Sequence, residues 1–228
     1  MPHESTSSPT STTAALGFCF ADDLSRSAMT LRKGERTRSA IQVAVCKQLE
    51  TVSLADLTIA NICDAAQISH GTFYIYFPNR NALVADVLFR FSAFVQARMR
   101  NASREDPDDR PARAATYAYF QLFEANLGLM RCLMRHLDNF PEAQAEFWNL
   151  NREWLETVAT STANKLRKTG LDIKHDELMR RAYALGGMTD QYLAGLLLDK
   201  DPNMQPFSRD RQALIDTLTL LWERGLQS

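Results

Sequence analysis

The chain has 228 residues, enough for one or two domains with a sizeable core, and its low content of Gly (9) and Pro (8) favours a mostly helical protein. Its formal net charge is −1, so it lacks an overall basic field that would attract nucleic acid. No apolar run reaches the roughly 18–20 residues of a membrane span, and no secretory signal opens the sequence, so we expect a cytoplasmic protein.

The first segment, residues 1–28, is rich in Ser and Thr and shows no sustained helical period. This composition is typical of disordered segments, and we expect an arm that does not fold. Met29 is a second position at which translation could begin.

A first helix is predicted from about Lys33 to Val52, within a stretch that carries six basic residues and one acid between positions 26 and 47. Such a local basic patch is what a small DNA-reading domain needs, with Arg36 and Arg38 as candidates for phosphate contact. An ordinary solvated helix face has the same pattern.

The stretch TIANICDAAQISHGTFYIYFPNRNAL, residues 58–83, predicts two short helices joined by a tight turn. Thr58 and Ser69 can each cap a helix, because a hydroxyl at the N-cap accepts a hydrogen bond from an otherwise unpaired backbone N–H. Phe73 and Phe77 lie four residues apart, so they point inward together. The residues left facing outward are His70, Thr72, Tyr74 and Tyr76.

This arrangement predicts a helix-turn-helix, whose second helix fits the major groove of DNA. Gly71 supports the interpretation, since a residue without Cβ lets the backbone come close to a partner. Two other interpretations are a buried helical corner whose aromatic residues are core, and a β-strand, which the residues FYIYF favour. The strand finds no convincing partner strand elsewhere in the sequence.

From about Gly34 to Leu88 the chain resembles the N-terminal DNA-binding domain of the tetracycline-repressor (TetR) family of bacterial regulators. The matching positions are Thr58, Ile59, Ile62, Ile68, Ser69, Gly71, Thr72, Phe73, Tyr74, Phe77, Arg80 and Leu83. Three positions depart from the family pattern: Gln67 replaces the usual Gly, Asn61 a usual acid, and His70 a frequent Lys or Arg. We expect these departures to alter the preferred DNA sequence or to weaken the contacts with DNA phosphates, and to leave the fold unchanged.

Six further helices are predicted after this stretch, which makes about nine in an all-α fold. They begin at about Arg80, Arg110, Gly128, Pro141, His175 and Ser208. Residues 29–80 form the predicted helix-turn-helix DNA-binding domain, and residues 81–228 form a second helical domain. The resemblance implies that this second domain binds a ligand and a twin subunit.

The last two predicted helices combine small and apolar residues, which permit close packing between helices of two subunits. The candidate dimerisation residues are Gly187, Tyr192, Gly195, Leu218 and Trp222. Packing within the chain would explain the same residues.

Aromatic, methionine and polar residues on the middle helices are candidates for a ligand pocket, although such a stripe is more often plain core. These residues are Phe91, Phe94, Tyr117, Phe120, Met130, Met134, Trp148, Asn151 and Gln191. Methionine and aromatic side chains adapt to varied apolar guests.

No catalytic motif, Gly-rich phosphate loop or metal-binding spacing is found, so we expect neither an enzyme nor a cofactor. The four cysteines show no CxxC pattern, and we interpret them as reduced thiols, not as a disulfide framework or a metal site.

The resemblance implies a ligand-responsive transcription regulator, most simply a repressor that binds a pseudo-palindromic operator as a dimer and is released by a small, largely apolar ligand. His70, Thr72 and Tyr74 would meet base edges, and Thr58, Tyr76 and Arg80 would contact phosphates, with Ser69 and Gly71 between them. The alternatives are an all-α small-molecule-binding protein or enzyme without a DNA-binding role, and an activator of the same fold.

Overall fold

The computed structural model describes residues 17–106, 108 and 110–227. The described residues form ten α-helices and contain no strand, so the all-α prediction is confirmed. The helices are α1 Phe20–Ala28, α2 Lys33–Leu49, α3 Ile59–Ala66, α4 His70–Tyr76, α5 Arg80–Glu105, α6 Pro111–Ala125, α7 Leu127–Arg135, α8 Pro141–Lys168, α9 His175–Leu193 and α10 Arg211–Gln227. Among them, none combines the length and the hydropathy that a membrane span requires.

Helices α2, α3 and α4, with the first turn of α5, form what we call the head. Polar side chains begin three of its helices: Thr58 accepts a hydrogen bond from the Asn61 backbone, Ser69 from Thr72, and Asn79 from Ala82. Each of these bonds satisfies a backbone N–H that has no partner within its helix. The short helices of the head therefore begin where the sequence predicts.

A first helix, α1, was not expected, because residues 1–28 are predicted to be a disordered arm. This prediction is wrong for the last nine residues, which form α1, whereas residues 1–16 lie outside the described residues. Phe20 is 3% exposed, and its ring centroid lies 5.5 Å from that of Phe91 and 5.2 Å from that of Phe94. Asp23 forms an ion pair with Arg98 of α5 at 2.7 Å. Tertiary contacts with α5 thus stabilise a helix that, at nine residues, is too short to be stable alone in water.

Helix α5 connects the head to the second domain and is held against α2 by a chain of polar contacts. Arg38 donates to Asp86 Oδ1 at 2.8 Å, the Gln42 amide donates to Asp86 Oδ2 at 2.5 Å, and Arg90 donates to Gln42 Oε1 at 3.0 Å. Gln42 is fully buried, so these bonds satisfy a side chain that would otherwise be costly to bury. The hydrophobic core also runs without a break from the head into α5 and α7.

A second junction joins α7 to the C-terminal end of α2. A Cβ atom at Gly128 would lie 2.3 Å from the backbone oxygen of Leu49, so only glycine fits at this position. The Gly128 N–H also donates to Glu50 Oε1 at 3.0 Å. The backbones of the two helices are therefore in direct contact.

The second domain contains α6 to α10 and most of α5. Helices α6 and α8 begin with Pro111 and Pro141 at their first position, as is typical of proline, and Gly170 follows α8 with a φ of 81°. Helix α9 is continued by one π-helical turn, Ala194–Leu198, and α10 is capped by Asp210, which accepts from Gln212 and Ala213. The last helix therefore begins three residues later than the predicted Ser208.

Candidate DNA-binding surface and ligand cavity

Helix α4 presents an exposed face at the tip of the head. His70, Gly71, Tyr74 and Ile75 are exposed, with Tyr74 at 56% and Ile75 at 77%, while Phe73 on the opposite side is fully buried. The inward orientation predicted for Phe73 and Phe77 is confirmed. The face offers donors and acceptors, an aromatic ring and one aliphatic group, which are the chemical types that read base edges and thymine methyl groups.

The exposed face differs from the predicted one at three positions. Tyr76 is half-buried and packs against α2. Its hydroxyl lies 3.7 Å from the position that a Cβ atom would occupy at Gly34. Thr72 is also partly buried, and its hydroxyl lies 2.9 Å from that of Ser69. Ile75 was missed, because an apolar residue within an aromatic run is normally core; only counting 100° per residue around the helix would have placed it outside.

The residues predicted to contact phosphate differ in their exposure and in the bonds they make within the chain. Arg36 and Thr58 are exposed. Arg38 bonds to Asp86 and lies over the Phe77 ring, with its guanidinium carbon 5.0 Å from the centroid. Arg80 donates through Nη1 to the backbone oxygens of Leu57 at 2.8 Å and Leu54 at 3.1 Å.

Arg80 therefore holds the loop before α3 in place. A contact between Arg80 and phosphate stays a prediction, and it would have to use Nε or Nη2, of which Nη2 lies 3.5 Å from Asn81 Oδ1. Arg36 is the candidate that is best placed to meet a phosphate.

The second domain encloses a cavity of about 630 Å³ between α5, α6, α7, α8, α9 and α10. This volume is within the usual range for sites that bind small molecules, roughly 300–1,000 Å³. Three of the predicted ligand residues line it: Met130, Met134 and Asn151. The apolar part of the wall also includes Met99, Phe147 and Trp154.

The other six predicted ligand residues do not line this cavity, so a ligand-binding role for them stays a prediction that the cavity does not support. Phe91, Phe94 and Phe120 are buried in the core, where Phe91 and Phe94 contact α1. Tyr117, Trp148 and Gln191 are exposed on the outer faces of their helices. Helical spacing identifies a common face but not whether that face meets a packed core, solvent or a cavity.

Polar side chains that the sequence analysis missed lie in the cavity wall. The Tyr119 hydroxyl donates to Asp190 Oδ1 at 2.6 Å, and the indole of Trp222 donates to the Thr189 hydroxyl at 3.0 Å. Burial raises the pKa of the Asp190 carboxyl, and the bond from Tyr119 partly offsets this effect. Burial also raises the pKa of the Tyr119 hydroxyl, to which the charge of Asp190 adds. Residues 119 and 190 are too far apart in the chain for any local pattern to reveal them.

The predicted dimerisation residues also divide into exposed and buried ones. Leu218 is buried in the core, and a Cβ at Gly195 would lie 3.1 Å from Met204 Sδ, so both residues serve packing within the chain, contrary to the prediction. The Tyr192 hydroxyl lies 2.8 Å from that of Ser208. Gly187 is exposed with open space around it, and Trp222 is half-buried.

The four cysteines are free thiols, of which Cys46, Cys63 and Cys132 are buried and Cys19 is partly exposed. Burial raises the pKa of the Cys132 thiol to about 11 and that of Cys46 further still. These thiols are therefore protonated and poor nucleophiles at neutral pH.

Two short capped helices, a tight turn and an exposed face on the second helix, followed by an all-α domain with a cavity, define a helix-turn-helix DNA-binding transcriptional regulator. Residues 44–87 match the family model of bacterial regulatory proteins of the tetR family. This stretch, from within α2 into α5, is therefore similar to the DNA-binding domain of that family.

Known proteins resemble the chain over most of its length. It is 26% identical over 193 residues to the HTH-type transcriptional regulator EthR of Mycolicibacterium smegmatis, a match that covers 83% of this chain and 85% of EthR. A protein from Syntrophomonas wolfei assigned to the TetR family has a similar structure, with a TM-score of 0.62 at 12% identity, over 86% of this chain and 97% of its own. A TetR family transcription regulator from Marinobacter aquaeolei VT8 superposes with a TM-score of 0.54 at 16% identity, over 83% and 93%. The two solved structures support the fold alone.

Proposed function

We propose that this regulator is a homodimeric repressor that leaves its operator when a small, largely apolar ligand occupies the cavity of the second domain. The main support for this proposal is that α5 and α7, the two helices that contact the head, also line the cavity. The exposed face of α4 supplies the surface for DNA.

In this proposal α4 enters the major groove. His70 and Tyr74 meet base edges, and Ile75 packs against a thymine methyl group or the sugar edge. Arg36 contacts a phosphate, which positions the head without reading sequence. In a two-fold symmetric dimer, the two copies of α4 would read half-sites about 34–36 Å apart or a multiple of this distance.

The exposed sides of α9 and α10 support the dimer. Tyr183 is 46% exposed on α9, and Leu220 and Leu221 are 51% and 42% exposed on α10. Gly187, four residues after Tyr183 on α9, is exposed with open space beside it, so a helix from a second subunit could approach closely. Four such helices, two from each subunit, would bury this apolar surface.

The ligand would act through α7 as well as through α5. Met130 and Met134 of α7 line the cavity, and Gly128 at the start of the same helix contacts the α2 backbone. A guest that displaces the two methionines therefore shifts the end of α2 and, with it, the orientation of α4. A coupling free energy of about 1–3 kcal/mol would change DNA affinity about 5–150-fold.

The test is selection of bound duplexes from a random DNA library, performed with the wild type, His70→Ala and Arg36→Ala. We expect the wild type to enrich a two-fold symmetric site. The His70 variant should lose preference at one position of each half-site, whereas the Arg36 variant should bind the same sequence more weakly. For the Arg36 variant, the slope of log K against log salt concentration should be smaller by about one for each phosphate contact that each subunit loses.

Each part of the proposal can fail separately in this test. Enrichment of an asymmetric site would contradict the dimeric arrangement, and unchanged selection by the His70 variant would remove His70 from the reading face. If the operator stays bound when the cavity is filled, the ligand-released repressor is excluded in favour of an activator or a co-repressed regulator.

A further inference from the structure

Three hydroxyl groups of the cavity wall donate their protons to acceptors within the chain. The Thr116 hydroxyl donates to the Ala112 backbone oxygen at 2.8 Å, and the Thr189 hydroxyl donates to Leu185 at 2.9 Å. Tyr119 gives its only proton to Asp190. The donors of these three hydroxyls are therefore already used inside the protein.

Two oxygen-bearing groups keep acceptor capacity beside the cavity. Asp190 uses Oδ1 for the bond from Tyr119, which leaves Oδ2 available, and Asp190 belongs to none of the ion pairs formed among the described residues. Gln96 lines the cavity, and its Oε1 is buried without a hydrogen-bond donor in the described part of the chain. A buried oxygen without a donor is unfavourable, and an incoming donor would remove this cost.

The basic side chains of the cavity lining are exposed to solvent. Arg110 and Lys165 are both exposed, and the exposed Glu223 is a third charged residue of the lining. Asp190, by contrast, is half-buried, and its carboxyl lies against Tyr119 in a wall that is otherwise rich in Met, Phe and Trp. The interior of the cavity thus has one acidic group and no matching base among the described residues.

We propose that the effector is an apolar molecule that carries a basic nitrogen, an amine or amidine class of ligand, whose N–H groups bind Asp190 and Gln96 while its apolar body fills the space between Met130, Met134 and Phe147. This inference rests on the proposed ligand-responsive function and names the class of ligand. The nitrogen supplies donors to these two acceptors, and its positive charge compensates the half-buried carboxylate. Gln96 reaches the nitrogen by rotation about its terminal torsion, which is broad in side chains of this type.

The amide orientation of Gln96 does not decide the proposal, because Asp190 accepts hydrogen bonds whichever way that amide is turned. An anionic ligand, in contrast, would meet the charge of Asp190 at close range. The proposal therefore predicts a strict order of affinity within a series of ligands that differ only in the polar group.

The experiment is calorimetric titration of the full-length protein with 4-phenylbutylamine, 4-phenylbutan-1-ol and 4-phenylbutanoate. These probes share one apolar body and end in a cation, a neutral hydroxyl and an anion. We expect the amine to bind at least tenfold more tightly than the alcohol, and the carboxylate to bind more weakly than either.

The variants test where the preference arises. Asp190→Asn keeps the size of the side chain and an acceptor for Tyr119, and it should remove the preference for the amine while leaving affinity for the alcohol within about threefold. Gln96→Met should reduce amine affinity by a smaller factor. Glu223→Gln, which removes the exposed carboxylate of the same lining, should change nothing and serves as the matched control.

The possible results separate the ligand class from the regulator proposal. Equal binding of the three probes, tightest binding of the carboxylate, or binding of none at millimolar concentration would each overturn the amine proposal. A preference that persists in Asp190→Asn and disappears in Glu223→Gln would overturn the assignment to Asp190. Operator binding by the same preparations, measured in parallel, tells whether the regulator proposal itself fails, since it does not depend on which probe binds.

Discussion

The head and the second domain reach their structures by different routes. In the head, side chains of Thr58, Ser69 and Asn79 cap α3, α4 and α5. In the second domain, no side-chain hydrogen bond caps α6, α7, α8 or α9. The short helices of the head are thus defined by local contacts, whereas α6 to α9 of the second domain depend on packing. Helix α10, which Asp210 caps, resembles the helices of the head in this respect.

This difference matches what each region does. A reading helix must present a few side chains at fixed positions, and caps and a tight turn fix those positions locally. A cavity must accept a guest and transmit its presence, which requires helices that can move relative to one another. The two regions meet at the α2–α7 contact, where Gly128 touches Leu49.

The largest effect is expected from Gly128→Ala, which changes the contact between the two regions. The added methyl group would lie 2.3 Å from a backbone oxygen, and neither helix can yield by rotating a side chain. We expect a loss of about 4 kcal/mol or more in the free energy of unfolding, measured by urea denaturation. Ligand and operator binding should also become uncoupled in any folded fraction.

Gly34→Ala is the matched control for this variant. Its Cβ would meet the Tyr76 hydroxyl at 3.7 Å, an ordinary contact, so stability should change by less than about 0.5 kcal/mol. Equal stability of the two alanine variants would contradict the close approach of α2 and α7.

A chain that begins at Met29 removes α1, which contacts both α5 and the corner between α6 and α7. The Asn126 side chain accepts from the Phe20 N–H and donates to the Phe18 oxygen, both at 2.8 Å, and both contacts would be lost together with the burial of Phe20 and Leu24. We expect a loss of about 3–5 kcal/mol, measured by urea denaturation.

The control is a chain that begins at Gly17 and retains α1. It should unfold at the same urea concentration as the full-length protein. If the chain that begins at Met29 were equally stable, α1 would contribute nothing to the fold.

Arg80→Ala and Arg36→Ala separate structural from DNA-binding cations within the head. Loss of Arg80 leaves the Leu54 and Leu57 carbonyl oxygens without its guanidinium, so we expect a loss of about 1–3 kcal/mol in the free energy of unfolding. Arg36→Ala should leave stability unchanged and lower the salt dependence of DNA binding. A normal stability of Arg80→Ala together with a reduced salt slope would show that Arg80 contacts phosphate after all.

The smallest effect is expected at the turn between α3 and α4. Gln67 has a φ of 55°, in the left-handed region that favours glycine, and it is one of two non-glycine residues with positive φ in the described chain. Gln67→Gly should stabilise the protein by roughly 0.5–1 kcal/mol, seen as a small rise in Tm. A decrease in Tm would mean that the Gln67 side chain makes a contribution that outweighs the backbone strain.

The sequence predicted the head with few errors because its signals are local. The caps at Thr58 and Ser69 and the inward pair Phe73 and Phe77 depend on neighbours within a few residues. The exceptions are Thr72 and Tyr76, which are partly buried, and Ile75, which is exposed despite its hydrophobicity.

The cavity was predicted with only partial success, because its wall is assembled from six helices. Met130, Met134 and Asn151 were found, but Phe91 and Phe94 face a helix, α1, that the sequence analysis did not expect. Six of nine candidates missed the cavity because a hydrophobic face on one helix does not reveal what packs against it. The Tyr119–Asp190 bond joins residues 71 positions apart, and no spacing rule connects them.

The sequence by itself determined the all-α class, the order of the helices and the helix-turn-helix, since helical periodicity, caps and turn residues act over one or two turns of chain. Only the tertiary structure decided that Phe20–Ala28 folds, that Arg80 supports the head, and that the acceptors Asp190 and Gln96 lie in one cavity wall. The physical reason is that burial and hydrogen-bond pairing between distant segments depend on which helix faces meet, and that is set by packing of the whole chain.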